Sequence, residues 1–514
     1  MTMHPGNVNR SSRPAALRRA PTLAAAIALA CAASAAGAQT GPGHLEDASV
    51  VPRGLFRVRA ATVWSRYESR FTSAGHEALG APFTSAALGS AQLAPLRGVD
   101  SLASLAAGQP FTLSLGQSRL DARGRHEIVP IGVEYGLTDR ITLGVVVPIV
   151  RKRIAVQLRL DSAGATMGPN LHRTSSAAAG INTLLQAQFA AAAAQLQTRL
   201  DACQNSGAAG CADLLARQGE ALALMAASQG FASAVGSLYG SASATGMAFV
   251  PVAGSAAQAE IALRVADFNA RYRDLLDSTS DLLTAIPVPA GGPAGTSELQ
   301  RYLTSELGGD SLATEERIGF GDVELGVKVL VLDVRPATGS LAARATLSAV
   351  YRFGTSSQQS PSPLMDFRLG DGRDMLEARG ALDLAARRVG LLALGEFTTA
   401  FGDALTGGFI PPGLLAAPRP DSRWLSVHLA PRVQLTSLFA LHGAWSLRSG
   451  DESGAETLAG GGVSFTTMPR YLASGGPLPM EMRYTHLESL SGPVGSPKVS
   501  RDQIELRIYV GRRR

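Results

Sequence analysis

The sequence predicts an all-β fold, a transmembrane antiparallel β-barrel of about twelve strands with a large α-helical insertion in one extracellular loop. Three observations predict it: an export leader, long stretches of alternating apolar and polar residues, and one alanine-rich stretch in which the apolar period changes to helical spacing. The chain is divided accordingly into a signal peptide (1–38), the first strands and their loop (39–171), the insertion (172–310) and the remaining strands (311–514).

The leader has the organisation of a secretory signal peptide. Arginines at positions 10, 13, 18 and 19 precede an uncharged run from 20 to 36, and Ala36-Gly37-Ala38 offers a cleavage site. A retained membrane anchor is the alternative, which the short, alanine-rich run disfavours. Removal of four arginines and no acids lowers the formal net charge from +6 to +2, so the charge gives no reason to expect a nucleic-acid partner.

The alternation is clearest from Asp322 to Leu332. Valine and leucine occupy the odd positions 323 to 331, whereas Asp322, Glu324 and Lys328 share the other face. One such strand fits a soluble sandwich equally well, because its apolar face could pack in a core. Similar segments predict twelve strands, near 54–67, 124–135, 140–150, 318–332, 341–353, 374–384, 389–401, 423–435, 439–448, 457–466, 479–487 and 502–510. For the second strand, 111–121 is an alternative to 124–135.

The connections between these segments separate the two possibilities. Those at one end of the wall are mostly short: 136–139, 333–340, 385–388, 436–438 and 467–478. Those at the other end are mostly long and rich in Gly, Ser and Pro: 68–123, 151–317, 354–373, 402–422, 449–456 and 488–501. Short periplasmic turns and long extracellular loops are typical of outer-membrane barrels, so this asymmetry favours the barrel.

The stretch from 172 to 310 has apolar residues at helical spacing, for example Ile181, Leu184 and Leu185, and predicts amphipathic helices. No charged side chain occurs from Ala221 to Ala259, so this part must be buried. Packing within the helical bundle and insertion into the barrel mouth as a plug are the favoured alternatives. A membrane-spanning helix is disfavoured, since the run is crowded with Gly, Ser and Gln.

The mature chain has two cysteines, Cys203 and Cys211, on either side of a polar turn. In an exported protein such a pair predicts a local disulfide. Two free thiols buried in the bundle are the alternative. Metal binding is disfavoured, because no histidine lies near enough in sequence to complete a site.

Ionisable residues of the alternating segments are expected to share the inner face of the barrel. Because an isolated buried charge costs several kilocalories per mole, these side chains must be paired or hydrated, and they either brace the wall or line a water path. The residues expected to line the lumen are Arg57, Arg59, Asp322, Glu324, Lys328, Arg344, Arg352, Glu377, Arg379, Asp383, Glu396, His428, Arg432, His442, Glu481, Arg483, Glu505 and Arg507.

The sequence has none of the usual catalytic motifs: G-x-S-x-G, H-E-x-x-H, G-K-[ST] and C-x-x-C are all missing. His428 and His442 are better interpreted as ordinary polar groups of the inner face than as ligands or bases. We therefore expect no enzymatic activity, no cofactor and no metal.

Two segments resemble a known family. Residues 129–148 read VPIGVEYGLTDRITLGVVVP, and residues 319–328 read GFGDVELGVK. Both resemble transporter-like outer-membrane barrels of the "MetA-pathway of phenol degradation" type. The resemblance covers the strand segments and leaves the insertion outside, and it implies passive uptake of hydrophobic or aromatic molecules.

The expected function is thus passive transport of small molecules across the bacterial outer membrane. Outer-membrane lipid, a small-molecule solute and the barrel-assembly machinery are the expected partners, and nucleic acid is not. The first alternative is a non-conducting surface anchor whose insertion binds a partner. The second is a barrel-embedded hydrolase, for which no nucleophile beside a histidine is evident.

Overall fold

The structure is a computed structural model and describes residues 48–206, 211–307, 313–334, 341–356, 369–402, 422–451, 455–468, 471 and 478–511. The predicted signal peptide, residues 1–38, lies outside the described residues. So do parts of the connections predicted at 151–317, 333–340, 354–373, 402–422, 449–456 and 467–478, and with the first of them residues 207–210 and 308–310 of the predicted insertion.

The strands of the described residues are β1 (Phe56–Thr72), β2 (Gly75–Ala78), β3 (Gln117–Gly136), β4 (Ile141–Asp161), β5 (Met167–Pro169), β6 (Phe249–Pro251), β7 (Glu315–Phe320), β8 (Val323–Val334), β9 (Ala342–Phe353), β10 (Asp374–Ala386), β11 (Val389–Phe401), β12 (Arg423–Gln434), β13 (Phe439–Gly450), β14 (Glu456–Thr466), β15 (Met480–Ser491) and β16 (Pro497–Val510). Twelve of them, β1, β3, β4 and β8 to β16, form a wall in which each strand pairs antiparallel with the next. Pairing of β1 with β16, from Phe56 opposite Val510 to Arg70 opposite Pro497, closes the wall. The predicted barrel is confirmed.

The outer face of the wall is apolar. Within the apolar belt, the outward positions of the wall strands are mostly exposed aliphatic or aromatic residues, as at Ile131 and Val133 of β3 and at Leu143 and Val145 of β4. In water so much exposed apolar surface would be unfavourable, whereas the acyl chains of a bilayer cover it. Because the period is two, a one-residue slip of register would move the polar face into lipid, so the pattern fixes the register.

Strands β3 and β4 continue beyond the wall at the end that carries the long connections. They have 20 and 21 residues, whereas β8 to β16 have 11 to 14. At roughly 3.3 Å per residue the two long strands span about 65 to 70 Å, against about 40 Å for a strand of twelve residues. The predicted second strand, 124–135, therefore captures only the membrane part of β3.

The strand predicted at 318–332 is interrupted. Gly321 and Asp322 separate β7 from β8, and both pieces pair with β4. The Gly321 amide donates to the carbonyl of Pro148 on β4, and proline has no N–H with which to continue the ladder on its own side. A side chain at 321 would also approach Pro148 to 3.0 Å. The chain breaks here because of a residue on a neighbouring strand.

A helical unit lies at the far ends of β3 and β4. Its helices are α1 (Arg97–Ala107), α2 (Ser176–Ser206), α3 (Cys211–Ala216), α4 (Gln218–Tyr239), α5 (Ala256–Leu276) and α6 (Thr296–Arg301), with 3-10 turns at Ala81–Phe83, Ala94–Leu96 and Leu171–Arg173 and a π-helical turn at Tyr302–Glu306. Helix α1 comes from the first long connection and packs on α4 and α5 of the insertion. The unit is thus built from two connections of the barrel.

The core of this unit is apolar. The rings of Phe189, Phe231 and Phe268 meet with centroids 5.2 to 5.7 Å apart. Inward side chains of β3 and β4, such as Leu120 and Leu158, belong to the same core, so the unit is fixed to the two long strands. Burial raises the pKa of the Tyr302 hydroxyl to about 12, as expected for a phenol in such surroundings.

Only one face of the charge-free stretch lies in this core, and Leu222 of α4 is 47% exposed. Helix α4 is long and apolar enough to span a membrane by length and composition, yet Leu224, Phe231 and Leu238 on it are buried by other helices of the unit. Cys203 at the end of α2 and Cys211 at the start of α3 form a disulfide with a Cα–Cα distance of 5.2 Å. The bond ties two helices together at one end of the bundle.

Candidate functional site: the charged interior of the barrel

The inner face of the wall carries the ionisable residues singled out above. The structure buries twelve of them almost completely: Arg57, Arg59, Asp322, Glu324, Lys328, Arg352, Glu377, Arg379, Glu396, His428, Glu505 and Arg507. The others are partly accessible: Arg344, Asp383, Arg432, His442, Glu481 and Arg483. The side chains between them along each strand point to the lipid, since successive residues of a strand face opposite sides.

A first ionic chain crosses four adjacent strands, β8 to β11. The Arg352 guanidinium lies 2.7 Å from Glu324 and 3.6 Å from Glu377. Arg379 donates to Glu377 through Nε and lies 3.7 Å from Glu396. Acids and arginines thus alternate around this part of the wall. Each buried charge in this ionic chain has at least one neighbour of opposite charge.

A second ionic chain lies at the seam between β1 and β16. Glu505 lies 2.7 Å from Arg59 of β1 and 2.9 Å from Arg507 of its own strand. Arg507 is also 3.8 Å from Glu481 on β15. Arg483 stands opposite Glu505 in the register of β15 and β16. The buried carboxylate of Glu505 is therefore surrounded by three arginines, Arg59, Arg507 and Arg483.

Smaller contacts complete the inner face. Arg432 donates to Asp383 at 2.8 Å, which links β12 to β10 across β11. His442 shares a hydrogen bond of 2.9 Å with the Thr485 hydroxyl. Asp322, at the break between β7 and β8, accepts from the amides of Ser356 and Asp371 at 2.9 and 2.8 Å, so this carboxylate stabilises a loop at the barrel rim.

Several buried polar residues were not singled out from the sequence. Glu134 on β3 accepts from Arg57, and Arg448 on β13 stacks over the Trp424 ring at 4.5 Å. Both follow the same alternation, which already places Arg448 on the polar face. Lys152 is buried as well, at a level of β4 beyond the segment predicted as strand.

The segment before β1 enters the barrel from the end with the short turns. Ala48 is fully buried and packs on Ala381 and Leu394 of β10 and β11. The Val51 amide donates to the Thr142 hydroxyl at 2.8 Å. A side chain at Gly136 would approach the carbonyl oxygens of residues 51 and 52 to 2.5 and 2.1 Å, so this close passage requires glycine. Sequence reasoning did not predict this segment inside the barrel.

A shallow apolar groove of about 360 Å³ lies on the helical unit. Its lining includes Ile181 and Leu184 of α2 and Ile286 after α5, which are 43%, 50% and 50% exposed. In the part of the chain that the structure describes, no three His, Cys, Asp or Glu side chains come close enough to hold a metal ion.

The sequence matches no protein-family model and no curated protein. Solved structures that are similar to the chain include the COG4313 outer membrane channel from Pseudomonas putida F1, with a TM-score of 0.40, 9% identity, and coverage of 92% of this chain and 100% of that one. The P. putida toluene transporter TodX has a TM-score of 0.25 at 9% identity, over 90% and 91% of the two chains. A Pseudomonas aeruginosa FadL homologue has a TM-score of 0.24 at 9% identity, over 89% of each chain.

The architecture follows from the structure of the chain itself. A closed antiparallel wall with an apolar outer face and a charged inner face is the arrangement that lets strands cross a bilayer without unpaired backbone groups. The resemblance to phenol-degradation-type transporter barrels agrees with this architecture. The chain is an outer-membrane β-barrel of the bacterial cell.

Proposed function

We propose that the barrel provides a passive path for small molecules across the outer membrane. The observation that carries this proposal is the inner face, where a wall of twelve strands encloses ionic side chains instead of an apolar core. About eight strands already suffice for an interior filled by side chains or one small ligand, so twelve leave room for water and solute. The residues proposed to line this path are the eighteen listed above.

The segment around Ala48 is proposed to close the path at the turn end. Its contacts include apolar packing at Ala48, hydrogen bonds donated by the Val51 amide at 2.8 Å and the Arg53 amide at 3.3 Å, and one from Arg57 to the Ser49 hydroxyl at 3.0 Å. A neutral hydrogen bond contributes on the order of 1 kcal/mol, and one that involves a charged group about 1.5 to 3 kcal/mol. Displacement of the segment breaks these contacts but leaves the hydrogen-bonded ladders of the wall intact.

The solute class is a finer proposal. The resemblance implies hydrophobic or aromatic molecules, and the family's path is passive. The charged inner face favours compact solutes that keep some hydration, since an apolar molecule gains nothing from contact with ion pairs. Liposome-swelling rates with small phenols and with sugars of similar size distinguish the two classes.

The test is single-channel conductance in planar bilayers. Three forms are compared: the mature chain, a form lacking residues 48–53, and Gly136→Ala, which pushes the same segment away without shortening the chain. We expect larger and more frequent openings in both variants. Heat-modifiable electrophoretic migration serves as the folding control. Silence from all three folded forms would overturn the path through the lumen.

Deletion of residues 172–310 is a less informative variant. Helix α1 and the far ends of β3 and β4 share the core of the helical unit, so this deletion would expose Leu120 and Leu158 as well. An altered conductance would then report damage to two long strands and not the loss of a gate.

The second candidate is a non-conducting surface anchor whose helical unit binds a partner. The exposed groove at Ile181, Leu184 and Ile286 favours it, because exposed apolar clusters on a soluble surface often mark an interaction site. Silence in the conductance experiment would select this candidate. We propose no enzymatic role. We further propose outer-membrane lipid around the apolar belt and the barrel-assembly machinery as partners of the folded and the folding chain.

A further inference from the structure

Three arginines lie side by side on the outer face of the barrel. Arg66 of β1 stands opposite Arg125 of β3, and Arg125 stands opposite Arg153 of β4. All three are exposed, and the side chains of Arg125 and Arg153 keep 56% and 53% of their accessible surface. Like charges directly opposite each other destabilise a sheet, so this arginine row needs negative charge from elsewhere.

Acids of the chain satisfy the row only in part. Glu127 accepts a hydrogen bond from the Trp64 indole at 3.2 Å and lies 4.0 Å from Arg125, too far for a hydrogen bond. Glu316 of β7 lies 2.6 Å from Arg151, which is outside the row, but 3.8 Å from Arg153.

The acid on the other side of the row is Asp502 of β16, whose neighbour in register is Trp64. Its carboxylate accepts from the Tyr484 hydroxyl at 2.8 Å and pairs with His486 at 2.9 Å. The acids around the arginine row therefore have closer partners than the row itself.

The row lies just beyond the apolar belt. On β7, Ile318 is 64% exposed and stands opposite Arg151, whereas Glu316, two residues farther out, stands opposite Arg153. Two residues of a strand span about 7 Å, so the row lies one step outside the last apolar position. Trp64 lies in the last row before it, and tryptophan favours the membrane–water interface. The row is thus at headgroup depth.

We propose that Arg66, Arg125 and Arg153 bind the phosphate groups of a phosphorylated glycolipid of the outer leaflet, the class to which lipid A belongs. The row is at the end of the wall that carries the helical unit, which is the extracellular end of an outer-membrane barrel. The planar guanidinium donates two parallel hydrogen bonds to phosphate, and several charges on one lipid match three arginines in a row. The proposal does not depend on transport.

The test uses the full mature chain in phosphatidylcholine vesicles with and without diphosphoryl lipid A. Lipid A is expected to raise the midpoint of thermal unfolding, read by heat-modifiable migration, and to remain bound through detergent extraction. The variant Arg66→Gln/Arg125→Gln/Arg153→Gln is expected to lose both effects. In phosphatidylcholine alone it should be at least as stable as the parent, because the repulsion is gone.

The matched control is Arg119→Gln/Arg159→Gln. These arginines also stand opposite each other on the outer faces of β3 and β4, six residues farther from the membrane at Arg119 than at Arg125. Six residues correspond to about 20 Å, beyond the reach of lipid phosphates, so this variant should keep the full response to lipid A.

Three outcomes would overturn the proposal: a lipid A response that persists in the triple variant, an equal loss in the control, or the same rise from inorganic phosphate without lipid A. If the triple variant does not fold, Arg125→Gln alone is measured, since Arg125 is the central member of the row. A partial loss of the response supports the proposal, and an unchanged response overturns it.

Discussion

The barrel and the helical unit bury opposite kinds of side chain. In the wall, Glu505 and Arg59 are inside and Ile131 is outside, whereas in the helical unit Phe268 is inside. The solvent explains the difference: acyl chains surround the wall, and water surrounds the helices. The interior of the wall is therefore stabilised by paired charges, and the interior of the helical unit by burial of apolar side chains.

The largest effect is expected at the ionic interior of the wall. Glu505→Ala leaves Arg59 and Arg507 without their shortest acidic partner. Breaking a buried pair by removing one partner costs about 3–5 kcal/mol, because the remaining charge stays desolvated. Urea unfolding in vesicles should show this loss. Glu68→Ala, which removes an exposed acid 3.7 Å from Arg123, should change little; equal losses would contradict the comparison.

The helical interior should respond to lost volume instead. Phe268→Ala removes a ring that is 2% exposed and contacts Phe189 and Phe231. We expect a loss of about 3 to 5 kcal/mol, the usual range for truncation of a buried phenylalanine. Leu263→Ala on the same helix, 63% exposed, is the control and should be nearly neutral. Hydrogen exchange resolves the helices from the wall.

The disulfide should contribute to the helical unit alone. The bond between Cys203 and Cys211 closes a short loop with a sequence separation of 8. For such a loop, restriction of the unfolded chain is worth about 2–3 kcal/mol. The double variant Cys203→Ser/Cys211→Ser should therefore lower the stability of the helices and leave heat-modifiable migration of the barrel unchanged. A loss of barrel migration would mean that the two parts do not unfold separately.

The smallest effect concerns pH and helix α6. The Ser297 hydroxyl and the Gly295 amide donate to Glu298, each at 3.0 Å, and these bonds hold the pKa of Glu298 below its ordinary value. A lowered folded-state pKa means that the stabilisation is present at neutral pH and is lost as acid protonates the carboxylate. Hydrogen exchange near α6 should increase on acidification in the parent. Glu298→Gln should be insensitive to the same change, and a parallel increase would exclude this cause.

Wall strands were predictable where one strand faces lipid on one side and charge on the other. The segment 389–401 coincides with β11, and 341–353 begins one residue before β9. Residues 117–123 fall in the connection predicted at 68–123, because 124–135 is preferred to the competing segment 111–121 as the second strand. They belong to β3 only because its inner face packs on the helical unit, a contact that no local pattern contains.

Sequence alternation predicts which residues share a face of a strand, but not which of them form ion pairs. It places Arg59 and Glu505 on one face, but their contact depends on pairing of the first wall strand with the last, and the two residues are 446 positions apart in the sequence. The break at Gly321 depends in the same way on Pro148, and the buried segment at Ala48 on Gly136. Each of these three contacts depends on the pairing register of residues far apart in the sequence, whereas sequence periodicity indicates only which face of a strand a residue occupies.

Strands β3 and β4 run without interruption from the short-turn end of the wall to the helical unit. No described residue between Gln117 and Gly136 interrupts β3, and its pairing with β4 continues along the whole strand. The same two strands form part of the wall and part of the core of the helical unit. The position of the helices above the membrane is therefore set by an unbroken backbone ladder, from Gln117 opposite Asp161 to Gly136 opposite Thr142.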